Sequence, residues 1–464
     1  MPTLVSPRWM STLLVGLAVW AGGACSEPRG AGHAHSILLV GVDGFEWDVL
    51  LPLLRGGEMP TIAGLMERGA YGLLETTRPT FSPIIWTSIA TGKSADEHGI
   101  RGFVRRQDGG TSRRLFTNND RRAKAFWNIL SDYGRSVAVV GWWVTYPVEP
   151  VNGLMVSQVN TLDQAKRKRG RAILKGRLID DLEGQVYPQQ RLQPVLAIHR
   201  RIGRDLPELN RKNFGSFAHP MSPLTRRLWE NTQWAFRADA TYVEIARQIA
   251  DEGWDLLAVY LGGADVVGHR FWRHMQPEAF KHPPPPEELE DFGQLIRDYY
   301  RYIDRAIGGI LAEMHPETTV LVVSDHGMHA VNRRKAFRPE SIPNDLNSGH
   351  HRDAPPGVLV AAGPGIARPQ EKPLLDRLER SQLGLSGSIF DITPTLLALS
   401  GVPVGTDMKG RVLTEWLADG VFRAGSVPSH DTPEWLTART ELDPSGRESD
   451  VERLEQLRAL GYID

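Results

Sequence analysis

Three acidic residues, with histidines beside or near two of them, stand where an open α/β sheet presents side chains to a ligand. Asp43 closes the apolar run "ILLVGV", Asp265 and His269 follow "LLAVYLGGA", and Asp325 with His326 follows "VLVVS". Ligands of such sheets bind in the crevice beyond the carboxyl ends of the strands. Carboxylates gathered there without a cation repel one another and are costly to desolvate, so a divalent metal is the expected countercharge. Asp265 and His269 are four residues apart. On a helical turn they share a face and can chelate one ion. Side chains of adjacent residues at a strand end diverge, so Asp325 and His326 serve one ion or reach two closely spaced ones. A further histidine is expected, and "NSGHHRDAPPG" supplies His350 and His351. Mixed Asp/His ligation suits zinc, with manganese or iron as alternatives.

A nucleophile completes this chemistry. In "TFSPIIWTSIATG", Ser82 precedes Pro83 and an apolar run that stops at Gly92. Serine at N-cap, proline at the first helical position and glycine after the end are strong helix punctuation. The serine can be a cap and nothing more. A helix N-terminus also favours an anion through its free N–H groups and dipole. Next to a divalent metal, a serine there can lose its proton and attack phosphorus. Thr80 is the fallback nucleophile.

These residues need a scaffold that brings distant strand ends together. Five continuous apolar runs read as strands buried on both faces: Ser36–Gly44, Ser136–Trp143, Asp255–Gly263, Thr318–Gly327 and Gly357–Gly365. Helical stretches alternate with them, the longest following Pro283–Pro286. The expectation is a doubly wound, mostly parallel α/β sheet with helices on both faces. The charged, Arg-rich piece 161–235 lacks strand-like runs and reads as an inserted cap between core halves 36–160 and 236–420. A polar tail, 421–464, ends in the amphipathic "VERLEQLRALGYID".

The chain has 464 residues and a formal net charge of −1, so no global field argues for a nucleic-acid polymer as partner. The run "KRKRGR" at Lys166–Arg171 reads as a solvated surface, with lipid headgroups or an anionic substrate as the other reading. Residues 1–24 carry Arg8, a short apolar stretch and small residues, a signal-peptide layout too short for a comfortable membrane span. Cys25 is the sole cysteine, which excludes an intrachain disulfide. Its place after Ala21-Gly22-Gly23-Ala24 resembles a bacterial lipoprotein signal, and residues 25–35 read as a tether. The expectation is export and lipid anchoring at Cys25, on the periplasmic side with the outer membrane favoured. The alternative is a soluble secreted or periplasmic protein.

Taken in order, "VGVDG", "TFSPIIWTSIATGKSADEHGI", "GGADVVGH", "VVSDHGM", "SGHH" and "DITPTLLALSGVPV" resemble the alkaline phosphatase superfamily, in its type I phosphodiesterase/nucleotide pyrophosphatase branch. The resemblance implies a two-metal hydrolase of small-molecule phosphate esters or nucleotides. Asp43, Ser82, Asp325 and His326 would hold one ion, and Asp265, His269 and His351 the other, with His350 as fallback. Ser82 would be the nucleophile. In nucleotide pyrophosphatases an asparagine three residues past "HGI" contacts a phosphate oxygen; here that residue is Phe103. Asn118, Asn119 and Arg105 are the candidates for its role. Sulfatases of the superfamily need a C/S-x-P-x-R box, which this chain lacks. A phosphomonoesterase or phosphoryl-group transferase on the same site is the second reading. A non-catalytic envelope lipoprotein that keeps the fold as a binding module is the third.

Overall fold

The computed structural model describes residues 36–106, 113–162, 174–176, 178, 182–331, 347–353, 355–369, 374–421 and 425–440. The leader with Cys25, the basic run 166–171 and the terminal amphipathic segment lie outside them. No helix among the described residues is long and apolar enough to cross a membrane.

Nine strands form one sheet: β1 (Ile37–Val42), β2 (Gly69–Glu75), β3 (Val137–Val140), β4 (Gly153–Val156), β5 (Val186–Tyr187), β6 (Leu256–Leu261), β7 (Thr319–Val323), β8 (Gly357–Ala362) and β9 (Leu385–Ser388). Their order is β9-β2-β8-β7-β1-β6-β3-β4-β5. All five apolar runs are strands of this sheet. Central β1 pairs in parallel with β6 and β7, and β3 and β4 extend the parallel half. Two strands break the direction: β8 is antiparallel to both β7 and β2, and β5 is antiparallel to β4.

Continuous apolar strands imply cover on both sides, and the core is divided that way. Leu38, Val40 and Val42 pack into one cluster with α1 (Trp47–Arg55), α3 (Leu192–Phe214), α4 (Pro223–Ile249), α5 (Gly263–Met275) and α6 (Leu295–Leu311). Ile37 and Leu39 pack into the other, against α2 (Ser82–Thr91) and α7 (Ile392–Leu399). The alternation is the period of two expected of a strand. Each fully buried aliphatic side chain contributes roughly 1.5–3 kcal/mol. The fold is thus α/β, a mostly parallel mixed sheet with helices on both faces.

The piece 161–235 is not free of strands. It supplies β5 to the sheet edge, then α3, then the first half of α4, which continues unbroken to Ile249. The described start of the tail packs on the body. Ser426–Val427 pairs with Val404–Gly405, and Asp431 reaches Lys93 at 2.6 Å.

The topology explains why the chemical residues share one edge. Asp43, Asp265 and Asp325 follow the carboxyl ends of three adjacent parallel strands, β1, β6 and β7. Because β8 runs the other way, its beginning lies at that edge, so His351, just before it, arrives there too. The strand β2 is parallel to β1 by two reversals, and its carboxyl end leads to Ser82.

Candidate active site

Helix α2 starts one residue earlier than serine capping predicts. The N-cap is Phe81, extended at φ −98° and ψ 120°, and Ser82 is the first helical residue. The ring of Phe81 packs on Phe103 with centroids 5.8 Å apart, which fixes how the chain enters the helix. Ser82 Oγ is therefore not consumed in capping; it makes no hydrogen bond among the described residues. Pro83 has no N–H, and the N–H groups of Ile84 and Ile85 donate to Phe81 O at 2.8 and 3.1 Å. The helix start thus offers an anion the Ser82 N–H rather than a ring of free donors. The helix ends at Gly92, whose φ of 69° is left-handed and suits glycine.

One turn beyond Ser82, Trp86 Nε1 donates to Asp43 Oδ2 at 3.0 Å. Residues four apart lie on the same helix face, so this bond sets Ser82 toward Asp43. Tyr260 Oη donates to the same Oδ2 at 2.6 Å. Asp43 Oδ1 is left buried without a hydrogen bond, as are Asp325 Oδ2 and His326 Nε2. His326 Nε2 lies 3.3 Å from Asp325 Oδ2 and 3.5 Å from Asp43 Oδ1. On the other side, His269 Nε2 is 3.3 Å and His351 Nε2 3.7 Å from Asp265 Oδ1. The ring of His351 stacks on that of His326 with centroids 4.0 Å apart.

The histidines are held by their other nitrogen. Nδ1 of His269 meets Gly349 O at 2.8 Å, and Nδ1 of His326 meets Gly327 O at 3.0 Å. A carbonyl only accepts, so both Nδ1 atoms carry the proton and both Nε2 atoms turn a lone pair inward. His351 Nδ1 lies 3.1 Å from Thr80 Oγ1, whose hydroxyl donates to His351 O at 2.8 Å. Thr80, the fallback nucleophile, is engaged with His351 instead.

The charge balance points to a cation. Asp43, Asp265 and Asp325 are at most 3% exposed. Burial, then the neighbouring charges of Asp43 and Asp265, pushes the Asp325 carboxyl well above the usual range. Burial also lowers His269 to about 4 and, with His326 and His269 nearby, His351 well below its ordinary value. These two imidazoles are neutral near pH 7 and cannot offset the carboxylates. One atom from each of Asp43, Asp325 and His326 lies within 4.8 Å of the others, and so do atoms of Asp265, His326 and His351. Buried acceptors without hydrogen bonds, inward lone pairs and an Asp/His donor set all fit a divalent metal. His326 stands between the two groups, whereas the resemblance assigned it to one.

The chain matches the family described as Type I phosphodiesterase / nucleotide pyrophosphatase over residues 37–443. It belongs to that family. Among solved structures it is similar to the alkaline phosphatase PafA, at 13% identity and TM-score 0.50, over 83% of this chain and 99% of that one. It is also similar to BT1596, a 2-O GAG sulfatase, at 12% identity and TM-score 0.45, over 82% and 73%. A third is phosphonoacetate hydrolase from Sinorhizobium meliloti 1021 in complex with phosphonoformate, at 18% identity and TM-score 0.36. The match covers 64% of this chain and spans 57% of that hydrolase's length. At these identities the PafA likeness speaks for the fold alone. No curated protein matches the chain.

Within this family member the remaining candidates fall outside the cluster. His350 pairs across a short ladder with His329, ring centroids 4.2 Å apart. Asn118 donates to Pro147 O at 3.0 Å and accepts from Arg121 at 3.2 Å, and Arg105 pairs with Asp120 at 2.8 Å. Asn119 sits beside Asn118 in a single 3₁₀ turn and is half-buried. His98 accepts the Ile100 N–H at Nδ1 and meets Ser88 Oγ at 3.1 Å; burial, then Arg121, lowers it to about 3. It is a structural histidine.

Four residues that position the site were not read from the sequence. Trp86 and Tyr260 hold Asp43. Glu46 accepts the Met328 N–H at 2.8 Å and pairs with Arg380, tying the turn after β1 to the loop carrying His326. The available signals were Trp86 four residues past Ser82, and a tyrosine at the end of an otherwise aliphatic strand.

Proposed function

We propose that this chain is a metal-dependent hydrolase of phosphate esters, a phosphodiesterase or nucleotide pyrophosphatase acting through Ser82 and two divalent ions. The observation that carries the reading is the set of buried ligand atoms, Asp43 Oδ1, Asp325 Oδ2 and His326 Nε2, that gather together and make no hydrogen bond among the described residues. Family membership supports phosphate-ester chemistry. Asp43, Ser82, Asp325 and His326 would hold one ion and Asp265, His269 and His351 the other, with His326 near both. Zinc fits these donors best. When bound, such ions supply positive charge that lowers the pKa of a hydroxyl or water and polarises phosphoryl oxygens.

The protein's own groups do the rest. Ser82 Oγ, free of capping duty, attacks phosphorus in line as the ester P–O bond opposite it breaks, giving a phosphoserine. Water then attacks the same phosphorus and breaks the Ser82 Oγ–P bond, releasing the phosphoryl product as one of its protons returns to the serine. Asp43 is held by Trp86 and Tyr260 so that Oδ1 faces the centre, and Gly327, Gly349 and Thr80 orient the three imidazoles. The leader and Cys25 support the further proposal that the protein is exported and lipid-anchored at the cell envelope.

The test is a substrate panel on the zinc-loaded protein together with metal analysis. Bis-p-nitrophenyl phosphate should be cleaved faster than p-nitrophenyl phosphate, and p-nitrophenyl sulfate slowest. Monoester preference would move the assignment to a phosphomonoesterase. Dominant sulfate cleavage, or folded protein with less than about one ion per chain, would refute it.

A further inference from the structure

We infer that Thr80 is a positioning residue that couples the segment leading to Ser82 to the metal site of His351, so that one hydroxyl sets the nucleophile and a metal ligand together. The inference rests on the phosphate-ester reading above and concerns how the parts of that site are joined. Thr80 and His351 are 271 residues apart in the chain, yet their segments meet at two rungs. At the first, Thr80 Oγ1 lies 2.8 Å from His351 O and 3.1 Å from His351 Nδ1. At the second, Arg78 pairs with Asp353 at 3.2 Å. That ion pair is exposed and contributes little. The first rung is buried, with Thr80 and His351 each 4% exposed, and it carries the contact.

A hydroxyl has one proton to give. The carbonyl of His351 can only accept, so it takes that proton, and Oγ1 turns a lone pair to Nδ1. Nδ1 therefore bears the ring proton, and the Nε2 lone pair is left for the side where Asp265 Oδ1 stands 3.7 Å away. Thr80 thus fixes His351 by backbone and by ring at once. The rings of His269 and His326 are held by the carbonyls of Gly349 and Gly327, groups that no substitution removes. The ring of His351 is held by a side chain, and that side chain belongs to the other segment. Two residues on is Ser82. The short path between them is braced: the Phe81 N–H donates to Pro79 O at 2.9 Å, and the Phe81 ring packs on Phe103. A shift at Thr80 is handed on to Ser82. Coupling of this kind is reciprocal, so an ion that fixes His351 also steadies the nucleophile's arm.

Competition for zinc between the full chain and a chromogenic chelator tests this. His351→Ala marks which binding step belongs to that residue's ion. Thr80→Val keeps the shape of the side chain and removes the hydroxyl. Affinity at that step should fall about tenfold or more, as for other groups that orient a metal ligand, while the other step stays within about threefold. Thr80→Ser loses a methyl group but keeps the hydroxyl, and should bring the affinity back to within about threefold of wild type. A role in packing alone would not be rescued this way. The coupling has its own readout. With zinc raised until the weakened site refills, kcat of Thr80→Val on bis-p-nitrophenyl phosphate should stay about tenfold or more below wild type, with KM within about threefold, because a displaced nucleophile slows attack more than binding. Unchanged zinc affinity in Thr80→Val, no rescue by Thr80→Ser, or full recovery of kcat on refilling overturns the inference and leaves the hydrolase reading standing. A wild type that binds less than about one zinc ion and cleaves no ester overturns that reading instead.

Discussion

Two clusters of acidic residues in this protein, one half-buried around Lys93 and one fully buried at the strand ends, are handled in opposite ways. Around Lys93, the carboxylates of Asp407 and Asp431 meet the ammonium at 2.5 and 2.6 Å. Asp431 also accepts the Lys124 N–H at 2.6 Å. Here the chain supplies its own cation and locks the tail start onto the body. At the strand ends, Asp43 and Asp325 make no ion pair with a lysine or arginine among the described residues, and the His269 and His351 imidazoles beside Asp265 are neutral near pH 7. Buried like charges without a counterion are costly. A fold that keeps three of them at one edge is arranged for a cation from outside, and the contrast separates site from scaffold better than burial does.

The sharpest break in this contrast comes from Ser82→Ala. Turnover should fall by at least about 10³-fold, the scale of losing a nucleophile. Metal content should stay near wild type, because the Asp and His donors remain. A wild-type rate would hand the nucleophile's role to Thr80 or to water. Lys93→Met attacks the other cluster. It should lower the melting temperature by several degrees, through a loss of about 2 kcal/mol discounted for partial exposure, and leave metal content untouched. Loss of metal in that variant would show that the two clusters are not independent.

A finer cut removes a support rather than a donor. Tyr260→Phe deletes one of the two hydrogen bonds holding Asp43 Oδ2. Metal affinity should fall about tenfold, as for other residues that orient ligands, with little change in melting temperature. Competition against a chromogenic chelator reads this directly. Unchanged affinity would mean that Trp86 alone orients the carboxylate.

Much of this was legible because strand ends are legible. Asp43, Asp265 and Asp325 follow apolar runs that announce buried parallel strands, and Gly92 announces a helix stop. Direction was not legible: nothing in "GVLVAAGPG" says that β8 runs backwards, yet this brings His351 rather than a residue after the strand to the site. The strand β2 was hidden because two of the seven residues in "GAYGLLE" are glycine, a poor strand former. Ser82 was placed one position early because serine-proline is a cap signal, whereas packing of Phe81 on Phe103 set the boundary. Asn118 and Arg105 looked available for phosphate; that Asn118 meets Pro147 and Arg121, and Arg105 meets Asp120, is a tertiary fact. Hydrogen-bond partners at sequence separations of tens to hundreds of residues leave no local pattern.

Asp239 lies between the two extremes and gives the smallest test. Its carboxylate accepts from Gly262 N and Gly263 N, both at 2.9 Å, and from Tyr299 Oη at 2.8 Å, capping α5, which carries Asp265 and His269. Burial nonetheless raises it to about 7, against the pull of those three donors. A carboxyl raised in the fold binds its proton more tightly there than in the unfolded chain. Its contribution is fully present below about pH 4 and is lost as pH rises through about 7. Asp239→Asn carries no such term. The difference in melting temperature between wild type and this variant should therefore shrink steadily from pH 5 to pH 8. A gap that stays constant over that range would show that donors outweigh burial at Asp239. Hydrogen bonds alone would then make a buried carboxylate cheap, and the want of them at Asp43 Oδ1 and Asp325 Oδ2 among the described residues would be the stronger mark of the site.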